Sequence, residues 1–279
     1  MKRNFLTRLR INGTYYLGGA LLLLIGVPLY QLLVLLPQGY GDALAKSSFP
    51  PYLLWISSHQ GQFWGYRALL IIAFACLLSL PFTLFRIIVA QEILEDEHEE
   101  EGRETQTKPE IEHTGTHTSG AVPDGMPADA WRGKGFAVLA AWSGLLSIIL
   151  YTFGTMASTI YLAFVSSTFS PHSAPPAHFS ALSATLTIIA NTIGGGLLAL
   201  SCLFFGAIIA RSGLKLWPGI WVAFGYAALA VAALLSGSAV ATATAPITGQ
   251  SVLTTPAILL FALWVLWFGI MLVRLKPEA

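Results

Sequence analysis

The sequence predicts an all-α fold: a polytopic membrane helix bundle of six transmembrane helices with both termini in the cytoplasm. Three observations predict it. Apolar residues gather into six stretches, each long enough to cross about 30 Å of hydrocarbon at about 1.5 Å per residue. Charged residues are almost absent from those stretches. The basic residues between them are dense at every second connection and sparse at the others. Overall 55% of the chain is hydrophobic and 10% charged, with a mean hydropathy of +0.67. A soluble domain carries about 25% charged residues, and a chain this apolar would need a larger core than its length can enclose.

Residues 1–14 form a basic N-terminus with Lys2, Arg3, Arg8 and Arg10. The first span, Tyr15–Leu36, follows. Its apolar run is longer than the 7–15 residues typical of a signal-peptide core, so it is expected to be retained as a span. The second span is Ala68–Ala90, and 15–90 is therefore a two-span hairpin. Its outer loop holds Phe49, Tyr52, Trp55, Phe63, Trp64 and Tyr66. Aromatics of this kind favour the headgroup level. Pro51–Ser58 is apolar but too short to cross, which predicts an interfacial or re-entrant piece. Arg67 is placed at the outer end of the second span. Pro81 removes a backbone donor and predicts a kink.

Residues 91–135 form an acidic linker, with eight acidic residues between Glu92 and Glu104 and a Thr, Gly, Ser and Pro-rich second half. The second span is expected to run on as helix into the acidic part, with disorder beyond. Residues 136–273 are a four-span bundle: Phe136–Val165, Ala181–Ala210, Leu216–Leu235 and Pro256–Val273. Residues 274–279 are the C-terminus.

Orientation follows from the basic residues. The N-terminus, the linker, the Arg211–Lys215 connection, the C-terminus and Arg86 together hold 13 of the 15, while Lys46 and Arg67 lie on the other side. This is a positive-inside bias, and an odd span count would break it. The net charge of +1 makes no case for nucleic acid. The bilayer is the expected partner, together with a protein partner at the acidic linker. The cell membrane is the expected location.

Candidate sites are few. Arg86 is the only charged side chain within the predicted spans. It either binds an anionic lipid headgroup or pairs with the acidic linker, or it snorkels along its own helix. Asn191 and Thr192, followed by Gly194, Gly195 and Gly196, make the most unusual intramembrane run. Each glycine weakens a helix by about 1 kcal/mol relative to alanine. The run reads either as a broken helix exposing backbone groups to a solute or as a smooth face for close packing. Gly18, Gly19 and Pro28 take the corresponding place in the first span if the six spans are two inverted triplets. Hydroxyls recur along the third span from Ser143 to Thr159, either lining a path or bonded to their own helix.

Absences exclude more. No histidine lies in a span, so haem ligation between helices is not available. No aspartate or glutamate does either, which removes a carboxylate proton relay and a paired-aspartate protease. Cys76 and Cys202 have no metal-site spacing. No catalytic residue, metal or cofactor is expected. His172 and His178, flanking Pro175-Pro176, are the weak case for a metal-dependent enzyme on the outer face. Three functions compete: a non-enzymatic bundle acting through a partner or lipid, a transporter or channel for a neutral or weakly polar solute through a broken fourth span, and that enzyme. The Trp64–Arg67, Arg211–Gly219 and Leu263–Gly269 segments that border or fill spans give the chain a layout that resembles small six-span bacterial membrane proteins. The resemblance implies six spans and carries no activity or site residues.

Overall fold

The computed structural model describes residues 2–45, 49–91, 128–170, 175–244 and 253–275. The acidic part of the linker, together with His98, His113, His117 and His172, lies outside the described residues. Six helices are long and apolar enough to cross a membrane: Thr7–Gln38, Gln60–Gln91, Gly135–Thr168, Phe179–Leu214, Gly219–Thr244 and Thr254–Val273. No strand occurs among the described residues. Large apolar side chains such as Leu33, Phe164 and Val240 are about two-thirds exposed or more, at 71%, 68% and 67%. A bundle coated in this way is solvated by lipid.

Several spans are longer than their apolar cores. A helix in or near lipid satisfies its own backbone and continues through polar residues until something stops it. The second span begins at Gln60 rather than near Arg67. Arg67 therefore lies about two turns inside the helix, which begins earlier than the apolar stretch does. The first span ends where Gly39 adopts φ 79°, ψ 17°, a left-handed conformation that favours glycine. The fourth helix bends at Gly213, with φ 58° and ψ −152°, before Trp217. Among the described residues these are the two glycines with positive φ.

Prolines shape the first two spans. Pro81 cannot donate to the Leu77 carbonyl, and residues 77–79 leave the helix in a turn. That carbonyl accepts from the Leu80 amide at 2.9 Å instead. Pro28 sits between two wide π turns, Leu22–Gly26 and Gln31–Leu35. Widening relieves the clash between the proline ring and the preceding turn while keeping the helix unbroken.

The six spans form a closed ring. Each packs on the next in sequence, and the sixth returns to the first. Both chain ends meet at one end of the bundle, where the Arg10 guanidinium donates to the Leu275 carbonyl, through Nε at 3.0 Å and through Nη2. The contact ties the start of the first helix to the segment that follows the sixth, which ends at Val273. The half of the ring nearest the termini is sealed. A Cβ on Gly13 would lie 2.9 Å from Leu272 Cβ, and one on Gly206 would lie 2.8 Å from the Gly225 carbonyl. Phe224 stacks between Trp264 and Phe268 at 4.7 and 5.5 Å, and Tyr16 stacks on Phe268 at 5.8 Å. Trp264 Nε1 donates to the Phe224 carbonyl at 3.2 Å.

Spans one and two are further tied in this half by hydroxyls. Tyr16 Oη shares hydrogen bonds with Ser79 Oγ at 2.9 Å and Thr83 Oγ1 at 2.6 Å, and Asn12 Nδ2 donates to Thr83 at 3.1 Å. Interhelical hydrogen bonds in lipid contribute about 0.6 kcal/mol on average and up to about 1.7. Tyr16→Phe, which removes two of them, is expected to destabilise the protein by about 1–2 kcal/mol, read as a lower melting midpoint in mild detergent.

Candidate functional site

The half of the ring away from the termini is open inside. A cavity of about 120 Å³ is lined by the first, second, third, fourth and sixth spans. Its polar wall is Gln31, Tyr66, Arg67, Tyr151, Thr155 and Asn191. Its apolar wall includes Leu23, Leu70, Leu186 and Ile258. A chamber of about 40 Å³ adjoins it toward the sealed half and shares Tyr151, Asn191, Thr254 and Ile258 with it. Tyr151 packs its ring on Phe74 at 4.1 Å between the two. A buried water needs about 10–15 Å³ and two to four polar partners. The larger cavity therefore has the room and the chemistry for several waters or a small polar solute.

The wide turns of the helices face this space. Both π turns of the first span contribute, through Leu23 and Gln31. The fourth span is wound as a π helix over Ile188–Ile193 and contributes Ala190 and Asn191. Such turns displace a side chain relative to regular helix and gather at functional sites. Gly154 lets the third and fourth spans close behind the cavity, since a Cβ there would lie 2.9 Å from Ala190 Cβ.

Arg67 is the cation of the site. Its guanidinium lies over the Phe63 ring at 5.4 Å and the Tyr66 ring at 6.0 Å. Tyr52, Tyr40 and Tyr66 act on it electrostatically. Its Nε is buried and has no hydrogen-bond partner. Among the described residues no carboxylate acts on it. Composition explains this. Apart from Asp42, every acidic residue of the chain lies between Glu92 and Asp129 or at Glu278. Gln31 Nε2 donates to Tyr66 Oη at 2.8 Å and braces the first span against the second beside the arginine.

An aromatic cap covers Arg67. Phe49–Ser58 is a helix that buries Leu53, Trp55 and Ile56 and packs on the third span. It is a folded lid on the ring, more deeply packed than an interfacial piece. Trp55 Nε1 donates to the Gln38 carbonyl at 2.7 Å, and Tyr40 meets Trp55 at 4.8 Å. Phe49 meets Phe179 edge-on at 4.8 Å, tying the lid to the fourth span. Phe63, Tyr66 and Trp55 are buried while Trp64 is exposed. Most of this loop's aromatics thus pack into the cap. Tyr40 lies beyond the spans. Burial first, then the neighbouring Tyr52 and Tyr66, pushes its phenol well above its ordinary value. It stays neutral and offers Arg67 a dipole, not a counter-charge.

The residues singled out from sequence fall in several places. The fourth span does not unwind, since Gly194 has φ −58° and ψ −49°. The expected break is a wide turn just before the glycines. Asn191 lines both chambers, and Gly194 and Gly195 line the smaller one. Thr192 Oγ1 meets Thr242 Oγ1 of the fifth span at 3.3 Å. Ser147 Oγ donates to the Gly194 carbonyl at 2.7 Å. Gly196 has nothing within 4 Å of a built Cβ. Gly196→Ala is therefore expected to stabilise the protein by about 0.5–1 kcal/mol through helix propensity alone, measured as a higher melting midpoint.

The third-span hydroxyls divide. Ser143 and Thr159 donate to their own helix, to the Ala140 and Thr155 carbonyls at 3.1 and 2.6 Å. Ser147 crosses to the fourth span, while Thr155 and Ser158 face the cavity. Arg86 is exposed on the outside of the bundle, remote from the cavity lining, and the acidic residues it was paired with lie outside the described residues. His178 precedes the fourth-span helix and His59 stacks on Trp55 at 5.1 Å. Among the described residues no group of three metal-ligating side chains forms.

Sequence reasoning missed Arg67, Gln31, Tyr66 and Tyr151. One signal for Arg67 was present: a tyrosine-rich outer segment with two basic residues and a single acid, Asp42. No family model matches the chain, and neither the curated proteins nor the solved structures contain a significant match to it.

Proposed function

We propose that the protein binds a small polar solute inside the membrane and belongs to the transporter class. The observation that carries this reading is the polar cavity walled by five spans and closed toward the termini by glycine contacts and stacked aromatics. A bundle serving only as a lipid-embedded scaffold gains nothing from a polar hollow at its axis, because buried polar groups without partners are costly in lipid. The π turns in the first and fourth spans support the same reading. In both spans the wide segment lines the cavity. Paired irregular helices at a central site are the architecture of alternating access. The positive-inside bias supports an outward-facing cavity.

Thiol accessibility tests this. In a Cys76→Ser, Cys202→Ala background, Thr187→Cys is placed in the cavity wall and Ala228→Cys in the sealed half. A membrane-impermeant methanethiosulfonate added to the outside of intact cells is expected to modify the first and spare the second. Equal resistance of both would sink the proposal.

A further inference from the structure

We infer that the cavity takes a ligand bearing one delocalised oxyanion, a carboxylate or a phosphodiester, which docks on Arg67. The inference rests on the cavity being a solute site and adds the ligand's charge. Among the described residues Arg67 is the one charged side chain in the cavity lining. A cation inside a low-dielectric bundle is expensive unless an anion meets it, and among the described residues no carboxylate acts on it, Asp42 included. Tyrosine dipoles and ring faces lessen the cost without neutralising the charge. The buried Nε has no hydrogen-bond partner within the protein, so the guanidinium is incompletely paired, and its fork matches the two oxygens of a carboxylate or phosphate.

The rest of the wall limits the ligand further. One cation is neutralised by one negative charge, and a dianion would bring an uncompensated charge of its own into the bundle. Gln31, Tyr151 and Asn191 offer amide and phenol groups for a second polar handle, and Leu70 and Leu186 face it with hydrocarbon. About 120 Å³ of room suits a small organic acid or the phosphodiester end of a lipid whose chains stay in the bilayer.

The test uses the full-length protein in a neutral maltoside detergent, with the melting midpoint as readout. In the first arm acetate and lactate are compared with acetamide and lactamide at matched ionic strength. In the second, added phosphatidylglycerol is compared with an uncharged glycolipid. The expected result is that at least one anion raises the midpoint and its neutral counterpart does not. Arg67→Gln is expected to weaken that response by about tenfold or more in concentration. Arg67→Lys, which keeps the charge and loses the fork, should be intermediate, and Arg86→Gln should respond as the parent does. The arm that responds identifies a free acid or a lipid. If neither anion outperforms its neutral partner, or if Arg67→Gln responds as the parent does, the inference is overturned. Should Arg67→Gln fail to fold, the acid–amide and lipid contrasts on the parent protein decide alone. Failure of the cavity itself shows separately, as an unlabelled Thr187→Cys.

Discussion

Gly206→Val is expected to destabilise the protein by about 3 kcal/mol or more, enough to remove most folded material from a detergent extract. A Cβ at Gly206 would lie 2.8 Å from the Gly225 carbonyl oxygen and 3.0 Å from Ala228 Cβ. The first of these is backbone and cannot rotate away, and valine brings two further methyls. The fourth and fifth spans would have to separate along the whole sealed half. Between helices in lipid the attraction is mainly close packing, and small residues where they meet make it possible. Packing forfeited by separation is therefore not recovered through hydrophobic collapse. Gly194→Ala is the control. The nearest atoms to its Cβ would be at 3.5 Å, an ordinary van der Waals distance, and a change within about 1 kcal/mol is expected. Size-exclusion profiles and melting curves of the two variants, made side by side, check both. A monodisperse Gly206→Val protein with an unchanged midpoint would mean that the fourth and fifth spans do not meet at these glycines.

Ser158→Trp is expected to suppress modification of Thr187→Cys by at least about tenfold while leaving the protein folded. Ser158 and Thr187 lie on the third and fourth spans and line the same cavity. An indole at 158 occupies much of a space of about 120 Å³. The wall there already includes aliphatic groups such as Leu186 and Ile258, so the ring finds apolar neighbours as it displaces water. The loss of the Ser158 hydroxyl disrupts little, because the side chain faces the cavity and bridges no pair of helices. Rates of modification measured with and without the tryptophan check the claim. Undiminished labelling would place Thr187 on a different water path. The readout needs no knowledge of the solute and tests the cavity as a space before its ligand is known.

Sequence and structure agree where solvent decides and differ where side-chain direction decides. The six spans were legible because lipid imposes length and apolarity on every crossing helix. The ends were less legible. Gln60–Arg67 and Ala241–Thr244 are helical, yet a hydropathy criterion stops at polar or small residues while the helix does not. Pro81 disclosed its kink because a missing donor acts within four residues. Asn191–Gly196 disclosed an irregularity but not its kind. Three glycines lower the cost of bending equally for an unwound segment and for a π turn, and packing against Ser147 and Tyr151 keeps the helix wound.

Arg67 was the largest omission of the sequence reading. An arginine at the edge of an apolar stretch reads as a membrane-boundary anchor, and Arg86 in the same helix read as the intramembrane charge. The structure reverses their standing: Arg86 is exposed on the bundle's outside and Arg67 faces the axis. The reversal depends on helix phase and on which neighbours fill the first, third and sixth positions of the ring. It also depends on a lid whose aromatics, taken singly, have the composition of any interfacial loop.

By itself the sequence determined that this protein is a six-span α-helical membrane protein with all of its acidic residues outside the spans. That information is one-dimensional: the thickness of the bilayer and the cost of burying charge act on each segment separately. Only the tertiary structure decided that the spans close into a ring, that one half is sealed while the other holds a polar cavity, and that Arg67 faces that cavity. Those outcomes arise from which helix faces meet across distances of more than a hundred residues, as Arg10 and Leu275 do. Hydropathy along the chain carries no record of such meetings.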